Sequence, residues 1–538
     1  MKRTRQFFYG LGLGAIVILL LSGACTAPKQ GYDILIKGAR VVDGSGNPWY
    51  PADIGIRGGK IAAIERVLDE GDASEVIAAQ GMIIAPGFID VHTHVDRGIL
   101  QNPSVENYIS QGVTTVVGGN CGGHEFPLAE FFAAAVEKGI ALNIAMLAGH
   151  NTIRREVMAL KMEAPTAEEM SRMKDLLDRE MRSGAIGLST GLAYLPGVYS
   201  KTEEIVELAR AVAPYNGIYA SHIRNQAEGI SGAIREAIAV GEANGISIII
   251  SHIKLADETI WNRPELITGP VEEAKARGLE VYLDQYPYTA TSSGFTSSFP
   301  QEVFEGGKDK FKERLNDPAV YLRVKNHLIE RRLTSRRGIN KLQGILVAEC
   351  RTFPDYEGKN LEQILELLQK EPSVENAGDL IIEIEKAGGA SAVFFQMDEA
   401  DVETLMRLPY LMIGSDGAVQ VRGRGFPHPR SYGTFPRIIG RYVREKGVLR
   451  LEEAIRKMTS LPAQALKIKD RGQIREGMWA DVVVFDPQTF EDAATFASPH
   501  QFGRGPAFVL VNGEIVFNQG GWTGRLPGKP LFGKGKTG

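Results

Sequence analysis

Cysteine is scarce in this chain: three residues in 538, Cys25, Cys121 and Cys350. Cys25 stands apart near the N-terminus, and the other two are too few and too distant in sequence to form a disulfide framework. Charge of one sign is also lacking. A net charge of −4 gives no reason to expect nucleic acid as a partner. No internal repeat or low-complexity tract interrupts the chain, and no G-x-G-x-x-G follows any strand-like run, so nothing supports a dinucleotide-binding open sheet. What remains is ordinary for a globular protein, with 43% hydrophobic and 23% charged residues. The length suits one large catalytic domain with a smaller companion.

The one long apolar run is N-terminal. "MKRTR" supplies positive charge, "FFYGLGLGAIVILLLSGA" is apolar, and small residues precede Cys25. This is the layout of a secretory signal rather than of a folded element. "LSGAC" resembles a bacterial lipobox, which implies removal of residues 1–24, lipidation of Cys25 and an exported, periplasmic or cell-envelope protein that meets the membrane only through its lipid. A plain cleavable signal and an uncleaved anchor helix are the alternatives. The lipobox is preferred because a cysteine directly after small residues is rare in so cysteine-poor a chain.

Short strand-like runs with glycine turns fill residues about 32 to 82. From Ile83 apolar runs alternate with amphipathic helical stretches. "IIAPGFIDVHTH" comes first, followed by "VTTVVGG", "ALNIAMLAGH", "GAIGLS", "GIYASH", "ISIIISH", "LEVYLDQY" and "PYLMIGSD". Strands apolar on both faces and separated by helices argue a parallel sheet. Eight such units predict a (β/α)8 barrel of the TIM type over residues 83–464. A long, charged, helical excursion at about 287–408 separates strands seven and eight, where such insertions act as lids or specificity elements. Strand-like runs return in "QIREGMWADVVVFDP" and "PAFVLVNGEIVFNQG". Residues 32–82 and 465–525 are therefore expected to pair as a small β-sandwich domain.

Ligand-type residues recur where the predicted strands end: His92 and His94, Cys121, His150, His222, His252 and Asp416. Each alone has a bland reading, as a hydrogen-bonded structural histidine, a small buried thiol or a helix cap. Recurrence argues otherwise, since the chain has only nine histidines and a barrel brings its carboxyl-side strand ends to one mouth. Imidazoles, a thiolate and a carboxylate together suit zinc. Asp416 is then the candidate general base.

The ordered motifs "PGFIDVHTHVD", "GAIGLSTGLAYLPG", "SHIRNQAEG", "SHIKLA", "LDQYPYTA", "GSDG", "HPRSYGTF" and "GQIREGMWADVVVFDP" are similar to those of the amidohydrolase superfamily, in particular its D-aminoacylase (N-acyl-D-amino-acid deacylase) branch. Other branches bridge two metals with a carbamylated lysine on strand four. Here that strand reads "GAIGLSTGL" and has no lysine, while Cys121 in "GGNCGG" matches the branch's cysteine ligand. The resemblance implies one tightly bound zinc on Cys121, His222 and His252, and a weaker position on His92, His94 and Asp416 that shares the thiolate. It also implies a small-molecule substrate, an N-acyl-D-amino acid, whose α-carboxylate meets Tyr286, Ser292 and Arg430. Lys254 is a further cation for it, and His150 a residue that orients substrate. Three readings stay open on the residues: deacylase, a dipeptidase on L-Xaa-D-Xaa or cyclic-amide hydrolase of the same superfamily, and a non-catalytic binding lipoprotein.

Overall fold

The computed structural model describes residues 31–536, so the lipobox at Cys25 lies outside the described residues. The chain begins with the strands Tyr32–Val41, Tyr50–Arg57, Lys60–Glu65, Ala73–Ala78 and Ile83–Pro86. Strands from the other end of the chain, Val482–Phe485, Phe508–Val511, Glu514–Asn518 and Gly521–Trp522, complete one nine-stranded sheet with them. The two ends join where Val482–Phe485 runs antiparallel to Ile83–Pro86. The sheet curls back on itself: Ile61 N donates to Met478 O and Ala480 N to Gly59 O. Ile36, Ile54, Ile56, Val482 and Leu510 fill its interior.

The chain leaves this sheet at Gly87, later than the boundary at residue 83 read from the sequence. "IIAPGFID" is two strands, one in each sheet. Gly87 marks the break because a Cβ there would lie 2.2 Å from Thr114 Cγ2, so only glycine lets the strands approach. Eight parallel barrel strands follow: Phe88–Asp90, Val113–Gly118, Asn143–Met146, Gly187–Gly191, Ile218–His222, Ser247–Ile250, Val281–Gln285 and Leu411–Ile413. Strand three resumes as Ala148–Gly149 after Leu147, to pair with strand four. Strands eight and one meet where Asp416 N donates to His92 O and His94 N to Gly417 O.

The "SIII" strand shows why these segments become a barrel. Ile248 and Ile250 pack outward beneath the helices, while Ile249 points inward. There it joins Ile89, Val117, Ala145, Ile218, Tyr282 and Met412 from the other strands in one enclosed apolar cluster. Burying an isoleucine this way contributes about 1.5–3 kcal/mol. The helices Leu128–Lys138, Ala167–Ser183 and Ile230–Asn244 cover the outside. Ala167–Ser183 starts with a capping box between Thr166 and Glu169 and stops at Gly184, whose φ is +119°. Beyond residue 525 the tail returns to the barrel, where Pro530–Leu531 pairs with strand three.

The excursion between strands seven and eight has its own apolar cluster, with Phe295, Phe311, Leu328, Ile364 and Ile381. It is helical as expected, but it also holds a three-stranded antiparallel sheet of Ala290–Gly294, Ile345–Glu349 and Ser391–Phe395. It roofs the carboxyl-side face of the barrel: Tyr199 OH donates to Gln301 O at 2.7 Å and Trp261 Nε1 to Gln396 O at 3.2 Å.

Candidate metal centre

His222 ends strand five, and His92, Cys121, His252 and Asp416 lie just past strands one, two, six and eight. Their ligand atoms converge. Cys121 Sγ lies 3.3 Å from His92 Nε2, 3.6 Å from His222 Nδ1 and 3.4 Å from His252 Nε2. Asp416 Oδ1 lies 3.1 Å from His94 Nε2 and 3.7 Å from His92 Nε2. Three overlapping triplets have their donor atoms within 4.8 Å of one another: His92, His94 and Cys121; Cys121, His222 and His252; and His92, His252 and Asp416. Sulfur, imidazole and carboxylate donors packed this closely fit a zinc ion in ligand type and number. Cys121 belongs to two of the triplets, so the donors form one continuous cluster rather than two separate sets.

The backbone is held in unusual conformations at three of these positions. Cys121, His252 and Asp416 have φ of +54°, +34° and +51°. Such angles cost free energy in a residue with a Cβ and collect at functional sites. Neighbouring hydrogen bonds hold them. Gly122 N donates to Ser189 Oγ at 3.1 Å, His252 N to Asp284 Oδ1 at 2.7 Å, and Asp416 N to His92 O at 2.8 Å.

Charge follows the geometry. Burial alone would raise the Cys121 thiol, but His92, His252 and the hydrogen-bonded imidazoles outweigh it and hold the thiol well below its ordinary range. Burial opposes ionisation of Asp416 too, and Arg430, His252 and His94 overcome it, so the carboxylate titrates well below its usual value. Both anionic donors are thus ready-made ligands at neutral pH. Arg430 Nη1 lies 2.8 Å from Asp416 Oδ2, as an ion pair outside hydrogen-bond alignment.

Three of the residues named for substrate cluster beside the donors. The Arg430 guanidinium lies 4.8 Å and Lys254 Nζ 5.3 Å from the centroid of the Tyr286 ring. Burial pushes Lys254 down to about 7, with Asp416 opposing and Arg430 adding to the shift. Ser292 lies half-buried on the insertion strand Ala290–Gly294, opposite Val393. His150 is not brought to the centre. It begins the helix His150–Met158, and its Nε2 lies 2.8 Å from Glu204 Oε1, which also binds Arg154. It therefore sits in a buried cluster with Glu204 and Arg154, outside the donor triplets.

Three residues escaped the sequence reading. The Tyr194 ring packs 4.4 Å from that of His222, and its hydroxyl feels the charges of Cys121, Asp416 and Arg430. Gln226 Nε2 lies 3.1 Å from His252 Nδ1, while its Oε1 accepts from Lys254 Nζ at 2.9 Å. Asp284 accepts from His252 N and lies 3.6 Å from His92 Nδ1. Tyr194 and Gln226 stand inside the motifs "GLAYLPG" and "SHIRNQAEG", and Asp284 is the last residue but one of strand seven, near the position that yielded ligands on other strands.

Comparison with known proteins adds four findings. The amidohydrolase family profile matches residues 75–280 and 365–517, on either side of much of the insertion. The chain is 35% identical over 526 residues to a D-aminoacylase of Alcaligenes xylosoxydans xylosoxydans, covering 94% of this chain and 98% of that one. An N-acyl-D-glutamate deacylase of the same organism is 34% identical over 513 residues, 91% of this chain and 95% of the relative. Among solved structures, the N-acyl-D-glutamate deacylase of Bordetella bronchiseptica superposes with a TM-score of 0.79 at 34% identity, covering 93% of this chain and 100% of that one. That structure holds zinc and a phosphonate inhibitor that mimics the tetrahedral intermediate of its reaction.

Proposed function

The chain belongs to the amidohydrolase family, within its D-aminoacylase branch, and on that premise we propose that it is a zinc-dependent hydrolase of N-acyl-D-amino acids, releasing a carboxylic acid and the free D-amino acid. The observation that carries this reading is the position of Asp416, whose carboxylate stands between the donor cluster and Arg430. Cys121, His222 and His252 would hold the main zinc, and His92 and His94, whose Nε2 atoms lie 3.7 and 3.1 Å from Asp416 Oδ1, would offer with Asp416 a second, weaker position beside it. A zinc ion bound there lowers the pKa of water to about 7 and polarises the scissile carbonyl.

The remaining chemistry falls to the protein. Asp416 takes the proton of the attacking water and returns it to the departing amine nitrogen. Arg430 keeps that carboxylate ionised and oriented. Arg430 and Lys254, both close to the Tyr286 ring, form a cradle for the substrate α-carboxylate, and the insertion roof limits water around the reacting atoms. Tyr194, beside His222, is placed to donate to the oxygen that gains charge as the carbonyl is attacked. The preference for the D configuration is drawn from the relatives. An exported, lipid-tethered location rests on "LSGAC" alone.

The test is release of D-amino acids from N-acetyl-D-amino acids by zinc-loaded protein, with L-enantiomers and L-Xaa-D-Xaa dipeptides alongside. Turnover abolished by chelator, and reduced about 10²–10⁴-fold in Asp416→Asn at unchanged metal content, is the expected result. Near-normal kcat in that variant would remove Asp416 from the base role, and faster hydrolysis of dipeptides would replace the substrate class.

A further inference from the structure

The Tyr194 hydroxyl is carried by a turn, not by a strand, so something must hold the turn. Tyr194 comes just after strand four ends at Gly191. Its own backbone closes only local loops, with Tyr194 N donating to Gly191 O at 3.0 Å and Val198 N to Tyr194 O at 2.8 Å. The hold from outside comes from Asn151, in the first turn of the helix His150–Met158. Asn151 is 4% exposed. Its Oδ1 accepts from Gly191 N at 3.1 Å, and its Nδ2 donates to Gly191 O at 3.0 Å and to Tyr194 O at 3.2 Å. One N–H and two carbonyls as partners fix which end of the amide is oxygen.

The amide fits there because the chain approaches it without side chains. A Cβ at Gly122 would lie 2.0 Å from Asn151 Oδ1, and one at Gly197 2.6 Å from the same atom. The turn meets the metal donors on its other side. Leu192 N donates to His222 O at 3.0 Å, and the Tyr194 ring lies 4.4 Å from that of His222. The loop that carries Cys121 hangs on different bonds, from Thr152 N to Gly122 O at 3.0 Å and from Gly122 N to Ser189 Oγ at 3.1 Å. Every side-chain hydrogen bond of Asn151 among the described residues goes to the Tyr194 turn. Buried polar groups bonded on all sides leave a segment one conformation, and an oxyanion donor must be fixed before the charge develops.

We propose that Asn151 is the positioning residue for Tyr194: it fixes the turn so that the hydroxyl stands beside His222, where the scissile carbonyl oxygen gains charge. This rests on the deacylase reading above, in which Tyr194 donates to that oxygen. Asn151 touches neither substrate nor metal donors and acts through Tyr194 alone. Its loss therefore slows the reaction without emptying the metal centre.

The experiment compares zinc-loaded wild type, Asn151→Ala, Tyr194→Phe and the double variant on the N-acetyl-D-amino acid that wild type turns over fastest. Tyr194→Phe is expected to lower kcat about 10²-fold and Asn151→Ala about tenfold, each with little change in KM or zinc content. The double variant is expected to be no slower than Tyr194→Phe, because nothing is left for Asn151 to position. A phosphonate analogue of the same substrate should bind Asn151→Ala more weakly by the factor that kcat falls. Losses that multiply in the double variant, zinc lost from Asn151→Ala, or full activity in either single variant overturns the proposal. If wild type hydrolyses no N-acetyl-D-amino acid, the deacylase reading fails, and fluorine NMR of protein labelled with meta-fluorotyrosine decides. The resonance missing from Tyr194→Phe must then shift or broaden in Asn151→Ala, which keeps Asn151 as the hold on Tyr194, and an unmoved resonance rejects it. Circular dichroism melting screens every variant. Asn151→Ser takes the place of Asn151→Ala if that protein is unfolded, and unfolding of both assigns Asn151 to the fold alone and rejects the proposal.

Discussion

In the proposed reaction Arg430 would serve two anions, Asp416 and the substrate carboxylate, and a single substitution should reveal both roles. Its guanidinium already faces Asp416, and it also flanks the ring of Tyr286. Five donors in a planar fork allow it to hold Asp416 and a substrate carboxylate together. Arg430→Met should raise KM for an N-acyl-D-amino acid well above the rise for its neutral carboxamide. It should also lower kcat for both, about tenfold or more, because Asp416 loses the cation that keeps it ionised. The sign for pH follows: Arg430 lowers the Asp416 pKa, so its removal raises that pKa and moves the acid limb of the rate profile to higher pH. Steady-state kinetics on the two substrates across pH check this. Equal KM effects would count against the carboxylate role, and an unmoved acid limb against the hold on Asp416. At this scale the sequence was readable where residue type recurs at strand ends, which exposed His92, His94, Cys121, His222, His252 and Asp416. It placed His150 at a strand end, where the strand piece Ala148–Gly149 runs directly into the helix His150–Met158 with no residue between them. Tyr194, Gln226 and Asp284 stayed hidden because each is a common polar residue whose role depends on a neighbour far away in the chain.

Among the elements, the barrel strands were legible as fully buried apolar runs, and the insertion was legible only as an interruption. Its strands "ILVAE" and "SAVFF" are short and surrounded by charge, and they gain meaning only when they pair with each other and with Ala290–Gly294. Beside the Tyr199–Gln301 and Trp261–Gln396 contacts, Glu258, a buried carboxylate on the loop after strand six, fastens this insertion to the barrel. Its oxygens accept from Ser335 Oγ at 2.9 Å and from the backbone N–H groups of Arg336 and Arg337, and Lys341 Nζ lies 3.1 Å away. Hydrogen bonds to a charged group are worth about 1.5–3 kcal/mol each. Glu258→Ala should therefore free the segment that carries Arg336 and Arg337, and trypsin should cut there at least about tenfold faster under native conditions. Limited proteolysis followed by peptide mass mapping reads this directly. An unchanged cutting rate would mean that Glu258 is not the fastening.

For the molecule as a whole, the question is what makes the terminal sheet and the barrel one body. An apolar seam joins them, with Ile83, Val483, Phe485 and Val509 of the sheet in one cluster with Phe88 and Val113 of the barrel, and polar contacts cross beside it. Asp481, just before the strand Val482–Phe485, is buried and in close contact with Arg471. It accepts from Asn512 N at 2.7 Å and from Asn143 Nδ2, at the start of barrel strand three, at 3.0 Å. Asn512 Nδ2 reaches Asn143 Oδ1 at 2.9 Å and Pro527 O at 2.7 Å, and Arg471 Nη2 donates to Asn512 Oδ1 at 2.8 Å. One network thus ties together the terminal sheet, the barrel and the returning tail. Replacing both charges with apolar groups is often tolerated in such networks, whereas removing one leaves the other buried and unpaired. Asp481→Asn keeps size and most hydrogen bonds while stranding Arg471, so it should cost about 3–5 kcal/mol. The centre lies at the carboxyl-side mouth, away from Asn143 at the start of its strand, so zinc content and KM should stay as in wild type. Denaturant unfolding at fixed zinc, with metal analysis of the same samples, checks both halves. A midpoint that moves together with zinc content would mean the seam and the metal centre are coupled. A midpoint that does not move would mean the apolar contacts alone join the two parts.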